Sequence, residues 1–509
     1  MNKRLTASII GIWFLLVAVS ALWAGEPVHL RILHLNDFHG FADSQLPIGS
    51  PDRIGGISFL AGEVNRLRQD QPTLLLAAGD MIQGNPWANL SEGKSSMEVM
   101  NAMGVSAMVL GNHEFDFGQE VLQKRIQEAK FPVLAANVQG FPGIQPHVIK
   151  ELSGIKVAII GLVTENTPVA THPKNVKGLV FSSAVASARK ALRELADKPD
   201  LVVVLSHLGL PADRRLARAV KGIQVIVGGH THTRMENPLK VNETIIVQAW
   251  EHAKALGVLD LTIQDRKVTR YEGKLIPVRP DLMMPDPLVA KIVEHYNNQA
   301  AAVLDEIIGE TQVDLEAKGS RIRETNLGNL VADILREDTK ADVSLINGGG
   351  LRSDILRGSI RIKDLLSVLP FRNAPLVLRV TGKELKAILE HGLSDLSGTG
   401  GQFPQISGMR LQYQSASPAG ERITRIWVKE KLLNPKEWYT LATNDFLAAG
   451  GDGYGVFVRI LGARKGYTAQ SPRVVFFDSG MEIRRLVSEY IKAKKMISSS
   501  VEGRIQKID

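Results

Sequence analysis

The chain has 509 residues, 44% of them hydrophobic and 22% charged, which is too long for one domain of ~100–200 residues and ordinary for globular proteins. This composition excludes a disordered chain and a multi-span membrane protein. A formal charge of +8 spread without a basic run argues against a nucleic-acid polymer as partner, and the absence of cysteine excludes disulfides, thiolate-held metals and a thiol nucleophile.

In chain order, Lys3 and Arg4 precede an apolar run from Ile9 to about Ala24, followed by Gly25-Glu26-Pro27. That order of charged, apolar and small residues is that of a secretory signal, and residues 1–24 are expected to be removed on export to the periplasm or the exterior. An uncleaved anchor is the alternative, but the run is shorter than the ~20 apolar residues of a spanning helix. With no comparable segment downstream, no stable membrane insertion of the mature chain is expected.

Short β-rich apolar runs then alternate with amphipathic stretches, the pattern of an α/β domain with buried strands. Strands are predicted at 30–35, 73–78, 107–110, 156–160, 201–205, 223–227 and 244–248, with helices at 57–68 and 182–195. Prolines 280, 285 and 287 punctuate the chain, and helical spacing of Ile292, Val293 and Tyr296 predicts a linker helix. A second strand-and-helix unit follows, with Gly-rich loops at Asn347–Gly350 and Gly450–Gly455.

Polar residues cluster just past the predicted strand ends: Asp37 and His39, Asp80, Asn112 to Glu114, His207, and then His230 and His232. Carboxyl ends of strands in an open α/β sheet are where loops converge and ligands bind. Mixed His, Asp and Asn donors suit Zn, Mn, Co or Fe, and seven such donors suit two divalent ions. Two ions carry +4 and two aspartates −2, leaving a site suited to a phosphate ester and a bridging hydroxide. The remaining histidines, including His172, His252 and His391, have no partner motif and are read as structural or exposed.

The strings LHLNDFHG, GNHEFDFG, SHLG, NGGGLR and GGDGYG resemble the two-domain 5'-nucleotidase family of calcineurin-like metallophosphoesterases, the branch that includes the bacterial periplasmic UDP-sugar hydrolase/5'-nucleotidase. The resemblance implies an α/β fold throughout: an N-terminal four-layer α/β/β/α metallophosphoesterase domain (25–285), a linker helix (286–306) and a C-terminal α/β substrate-binding domain (307–509). It further implies that Asp37, His39, Asp80 and His232 hold one ion and Asp80, Asn112, His207 and His230 the other. His113 and Asp116 match the family's catalytic pair. His232 is a departure, since the bacterial periplasmic member has Gln there.

For the second half, the resemblance implies anion or ribose contacts from Arg323 and Arg352, base-side contacts from Asn347 and Asn373, and ribose contacts from Asp452. Phe371 and Phe446 would sandwich the base, and stacking gives affinity with little base selectivity. The expected substrate is a 5'-nucleotide such as AMP or UMP. Asp116 and the Gly450-Gly451-Asp452 run separate this chain from the cyclic-nucleotide phosphodiesterases, which show Asn and GGG there. Those enzymes, a UDP-sugar diphosphatase and a non-catalytic nucleotide-binding protein are the competing readings.

Overall fold

The computed structural model describes residues 26–47, 50–195, 199–462, 471–477 and 481–509. The signal segment expected at 1–24 lies outside the described residues. Among the described residues, no helix is long and apolar enough to cross a membrane.

The chain folds as two α/β domains. In the first, one six-stranded sheet runs Lys267–Pro277, Ala255–Gln264, Val28–Leu35, Thr73–Ala77, Ala107–Val109, Val133–Leu134. The last four strands are parallel, and the first two pair antiparallel. A second sheet runs Leu239–Val241, Thr244–Gln248, Val225–Gly228, Leu201–His207, Ile155–Val163, His147–Leu152, parallel in its centre and antiparallel at both edges.

Alternation along the second sheet shows how the layers stack. Val157, Ile159, Val203 and Leu205 join a core shared with Leu33, Leu75 and Val109 of the first sheet. Their neighbours Ala158, Ile160, Val202 and Val204 face the other way, against Ala188 of helix Ala184–Glu194 and Leu216 of helix Leu210–Ala219. A period of two thus places one face on the sister sheet and the other under helices. Leu60 and Val64 of helix Ile57–Leu67 and Met97 and Met100 of helix Lys94–Ala102 extend the shared core. The result is the four-layer arrangement of two sheets between helices.

The predicted strands form close to their expected limits and divide between two sheets, as the four-layer expectation requires, although the apolar pattern itself does not say which strand joins which sheet. Asp37, Asp80 and Asn112 follow strands of the first sheet, and His207 and His230 belong to strand ends of the second. Apolar runs report burial, not pairing partners, so the pattern does not carry the division. Nor does it reveal the long antiparallel pair Ala255–Gln264 and Lys267–Pro277.

The helix Pro287–Leu304 lies on the first domain, with Val289 and Val293 in its core and Tyr296 edge-on to Trp87 at 5.8 Å. Beyond it, a five-stranded mixed sheet runs Pro404–Ser407, Val343–Asn347, Trp438–Asn444, Pro375–Thr381, Val474–Phe477. Val343, Leu345, Leu376, Leu378 and Leu441 enter one core, and Ile346, Val377 and Ala442 enter another, so this sheet too is covered on both faces. The final residues return to pair Met496–Ile497 with Ile307–Thr311 and Ile505–Lys507 with Met409–Tyr413.

Candidate metal centre

The first two strand ends of the parallel sheet turn sharply after Leu35 and Ala77. Asp37, His39 and Asp80 take φ of 50, 50 and 58°, and His230 and His232 from the other sheet take 74 and 50°. Non-glycine residues in this left-handed region cost of order 1–3 kcal/mol each, and such strain collects at functional sites. Here the strain aims five polar side chains at one point.

Two groups result, Asp37 with His39 and His232, and Asp80 with His207 and His230; within each, the donor atoms lie within 4.8 Å of one another. His232 Nε2 is 3.2 Å from Asp37 Oδ1 and His207 Nε2 is 3.0 Å from Asp80 Oδ2. His39 Nε2 lies 3.9 Å from Asp37 and 3.8 Å from Asp80, which joins the two groups into one centre. Asn112 Oδ1 is buried without a hydrogen-bond partner, as a donor kept for a cation would be. The residues present therefore fit two divalent ions.

Outer contacts fix which nitrogen each imidazole offers. His39 Nδ1 donates to Gln83 O at 2.8 Å, His207 Nδ1 to Ala78 O at 2.7 Å, and His232 Nδ1 to Glu251 at 2.5 Å. Nε2 is left toward the centre in all three, as oriented metal-binding histidines require. The His230 amide donates to Asp37 Oδ2 at 2.9 Å and the His113 amide to Asp80 Oδ1 at 2.9 Å. Glu114 accepts from the amides of Asp80, Met81 and Gly111 and thereby ties two strand-end loops together.

The electrostatics follow from burial working against close charges. Burial pulls the His207 imidazole down, but Asp80 outweighs it and raises His207 to about 10. His232 is raised to about 9 in the same way by Asp37 and Glu251. Burial and the charge of Arg352 hold His39 well below the usual histidine range, and burial with the charge of His207 brings His230 to about 3. Burial and Asp80 push Glu114 up to about 7 while the Met81 and Asp80 amides pull the other way.

His113 Nδ1 donates to Asp116 Oδ2 at 2.6 Å, and its ring lies 5.3 Å from that of His39. Thr171 donates its hydroxyl to the other Asp116 oxygen, and Asn175 Nδ2 donates to Asp116 O at 2.8 Å. Asp80, Asn112, His113, Asp116, His230 and His232 line a cavity of about 820 Å³ between the two domains.

From the C-terminal side the same cavity is lined by Asn347, Arg352, Phe371, Asn373, Phe446 and Asp452. Asn347 Nδ2 donates to Asp452 Oδ2 at 2.7 Å, Phe371 stacks on His113 at 5.7 Å, and Arg352 Nη2 reaches 3.2 Å from His39 Nε2. Gly451 has a packing reason: a Cβ there would lie 2.4 Å from the Phe446 ring.

Arg323 stands apart from these residues. Its Nη2 donates to Glu316 at 3.0 Å and to Lys318 O at 3.1 Å, away from the cavity wall. Arg321 lines the cavity instead, with Nη1 donating to Gly400 O at 3.2 Å; burial and Arg352 bring its guanidinium down to about 10. A turn from Gly319, which accepts the amides of Ile322 and Arg323, separates the two arginines.

Sequence reasoning also passes over Glu251, Arg321 and Thr171, whose roles are set by distant partners, and singles out Glu114 only as part of a strand-end motif. Three histidines read as structural lie at the site's margins. His252 is buried and stacked on Phe41 at 3.8 Å, forming a group with His232 and Glu251. His172 Nε2 approaches Asp445 Oδ2 of the second domain at 3.6 Å, and His391 Nε2 donates to Asp452 O at 2.9 Å.

The calcineurin-like phosphoesterase pattern matches residues 30–234, and the 5'-nucleotidase C-terminal domain pattern matches residues 307–459. A 5'-nucleotidase of Diplobatis ommata is 31% identical over 96% of this chain and 92% of its own length. The trifunctional nucleotide phosphoesterase protein YfkN of Bacillus subtilis is 30% identical over 94% of this chain, which spans only 35% of that longer protein. Among solved structures, a 5'-nucleotidase precursor from Thermus thermophilus superposes with a TM-score of 0.87 at 32% identity, covering 94% of this chain and 99% of its own.

Proposed function

This chain belongs to the 5'-nucleotidase family of metallophosphoesterases, a family of hydrolases, and from that premise we propose that it is an exported enzyme releasing phosphate and nucleoside from 5'-nucleotides. The observation that carries the reading is a cavity lined together by members of both candidate metal groups (His232; Asp80 and His230), the His113–Asp116 pair and the aromatic and polar residues of the second domain. Export rests on the Lys3 to Pro27 pattern.

Asp37, His39, Asp80 and His232 would hold one divalent ion and Asp80, Asn112, His207 and His230 the other. When bound, such ions activate water and neutralise phosphate charge. The chain's own residues do the rest. His113, oriented by Asp116, would donate a hydrogen bond to a phosphoryl oxygen as charge develops there. Arg321 and Arg352 would take anionic oxygens in forked contacts. Phe371 and Phe446 would offer faces to the base, Asn347 and Asn373 its polar edge, and Asp452 would accept from ribose hydroxyls.

The test is phosphate release from AMP, UMP, 3'-AMP, 2',3'-cyclic AMP, ADP and UDP-glucose, with Mn²⁺, Zn²⁺ and Co²⁺ supplied separately. The expected result is turnover of AMP and UMP well above the cyclic and 3'-esters. Preference for 2',3'-cyclic AMP or UDP-glucose would overturn the substrate assignment, and no turnover of any ester with any metal would overturn the enzyme.

A further inference from the structure

The segment from Thr167 to Asn175, which none of the sequence motifs includes, touches three parts of the site. Ala170 O accepts from Asn112 Nδ2 at 3.4 Å, beside the candidate metal centre. The Thr171 hydroxyl donates to Asp116 Oδ1, and Asn175 Nδ2 holds the Asp116 carbonyl at 2.8 Å. On its other side, helix Thr167–Ala170 packs on the Gly451–Gly453 turn, and His172 approaches Asp445 at 3.6 Å.

The chemistry of Asp116 explains what such a contact does. Its Oδ2 accepts the hydrogen bond from His113 Nδ1 at 2.6 Å. A carboxylate held at one oxygen still rotates about its terminal torsion, which is broad. A second donor at the other oxygen removes that freedom, and with it the swing of the imidazole. Thr171 is only 2% exposed, so water does not compete for the bond.

We propose that Thr171 is a positioning residue for the reaction: it fixes the Asp116 carboxylate, which fixes the His113 ring, and its segment ties that alignment to the C-terminal domain. The inference rests on the nucleotidase reading for its kinetic consequence, though not for the contact itself. Outer partners that orient metal ligands are worth about 10- to 100-fold in activity, and a loss of that order is expected for a hydroxyl that orients a catalytic imidazole.

The experiment compares Thr171→Val, which keeps the shape and removes the donor, with Thr171→Ser, which keeps the donor. AMP and an aryl phosphate serve as substrates, and metal content and Tm are followed in parallel. Thr171→Val is expected to lower kcat about 10- to 100-fold on both substrates, with KM, metal content and Tm little changed, and Thr171→Ser to restore most of the rate. Thr171→Ala replaces the valine variant if that does not fold.

His172→Ala should slow AMP hydrolysis and spare the aryl phosphate; equal losses would remove the C-terminal domain from the proposal. Wild-type kcat in Thr171→Val, or a loss that serine does not rescue, would overturn the role of the hydroxyl. The Nδ1 proton resonance of His113 reads the same alignment without turnover. It should shift in Thr171→Val and return in Thr171→Ser. If the parent protein proved inactive on every ester, the nucleotidase reading would fall while this resonance still decided the contact, and an unchanged resonance in Thr171→Val would overturn it.

Discussion

On the N-terminal side of the cavity, strained backbones at strand ends carry the site: Asp37, His39, Asp80, His230 and His232 all take positive φ within a largely buried, mutually bonded cluster. On the C-terminal side the positive φ values fall largely on glycine, which adopts them without strain, as at Gly450 and Gly453 with φ of 94 and 76°, and Asp452 is the polar residue drawn into that turn. A metal centre needs several donors fixed within a few tenths of an ångström, so its geometry rests on rigid sheets. Recognition of a flat base and a ribose tolerates turns, because stacking and a few hydrogen bonds adapt to small shifts.

The sharpest way to break that contrast is to remove Asp80, the carboxylate proposed to serve both ions. Asp80→Ala is expected to lose both ions and all measurable turnover, as read by metal content after dialysis and by phosphate release. His113→Ala should instead keep the ions and lose about 10²- to 10⁴-fold in kcat. A His113→Ala protein turning over at the parent rate would remove the imidazole from the chemistry.

The recognition side should fail more gently, and through KM. Arg321 lines the cavity and Arg323 does not, so Arg321→Ala should lower kcat/KM for AMP about 10- to 100-fold, the worth of one charge-assisted hydrogen bond. Arg323→Ala, which breaks a half-exposed pair with Glu316, should change it by less than about threefold. The reverse order would mean that the turn after Gly319 presents the other arginine to substrate.

Phe371→Ala and Phe446→Ala should each weaken nucleotide binding by about 1–3 kcal/mol. An aryl phosphate without a base should be hydrolysed almost as before. Equal losses on both substrates would place these rings in packing, and the stack of Phe371 on His113 makes that control informative for Phe371 in particular.

The smallest effect separates the halves by pH. In the metal-free centre His207 and His232 are raised to about 10 and about 9, so near neutrality both carry protons that an ion must displace, while His39 and His230 are lowered and already neutral. Metal affinity should therefore fall as pH falls, with up to about two protons released when both ions bind between about pH 6 and 8. Calorimetry in buffers of different ionisation enthalpy reads that number. A pH-independent affinity would mean that these imidazoles bind as they stand.

The sequence by itself determined the α/β class, the order of the metal-half strands and seven candidate ligands. Apolar runs, turn residues and the few side chains able to hold a divalent ion are local signals that survive without coordinates. Only the tertiary structure assigned each strand to one of the two sheets, chose Arg321 over Arg323 for the cavity wall, and brought Glu251, Glu114 and Thr171 to their partners. Those outcomes depend on which strands pair and which way a turn points its side chains. Thr171 and Asp116 are 55 residues apart, and Glu251 and His232 are 19. No short motif spans such separations, because packing sets them.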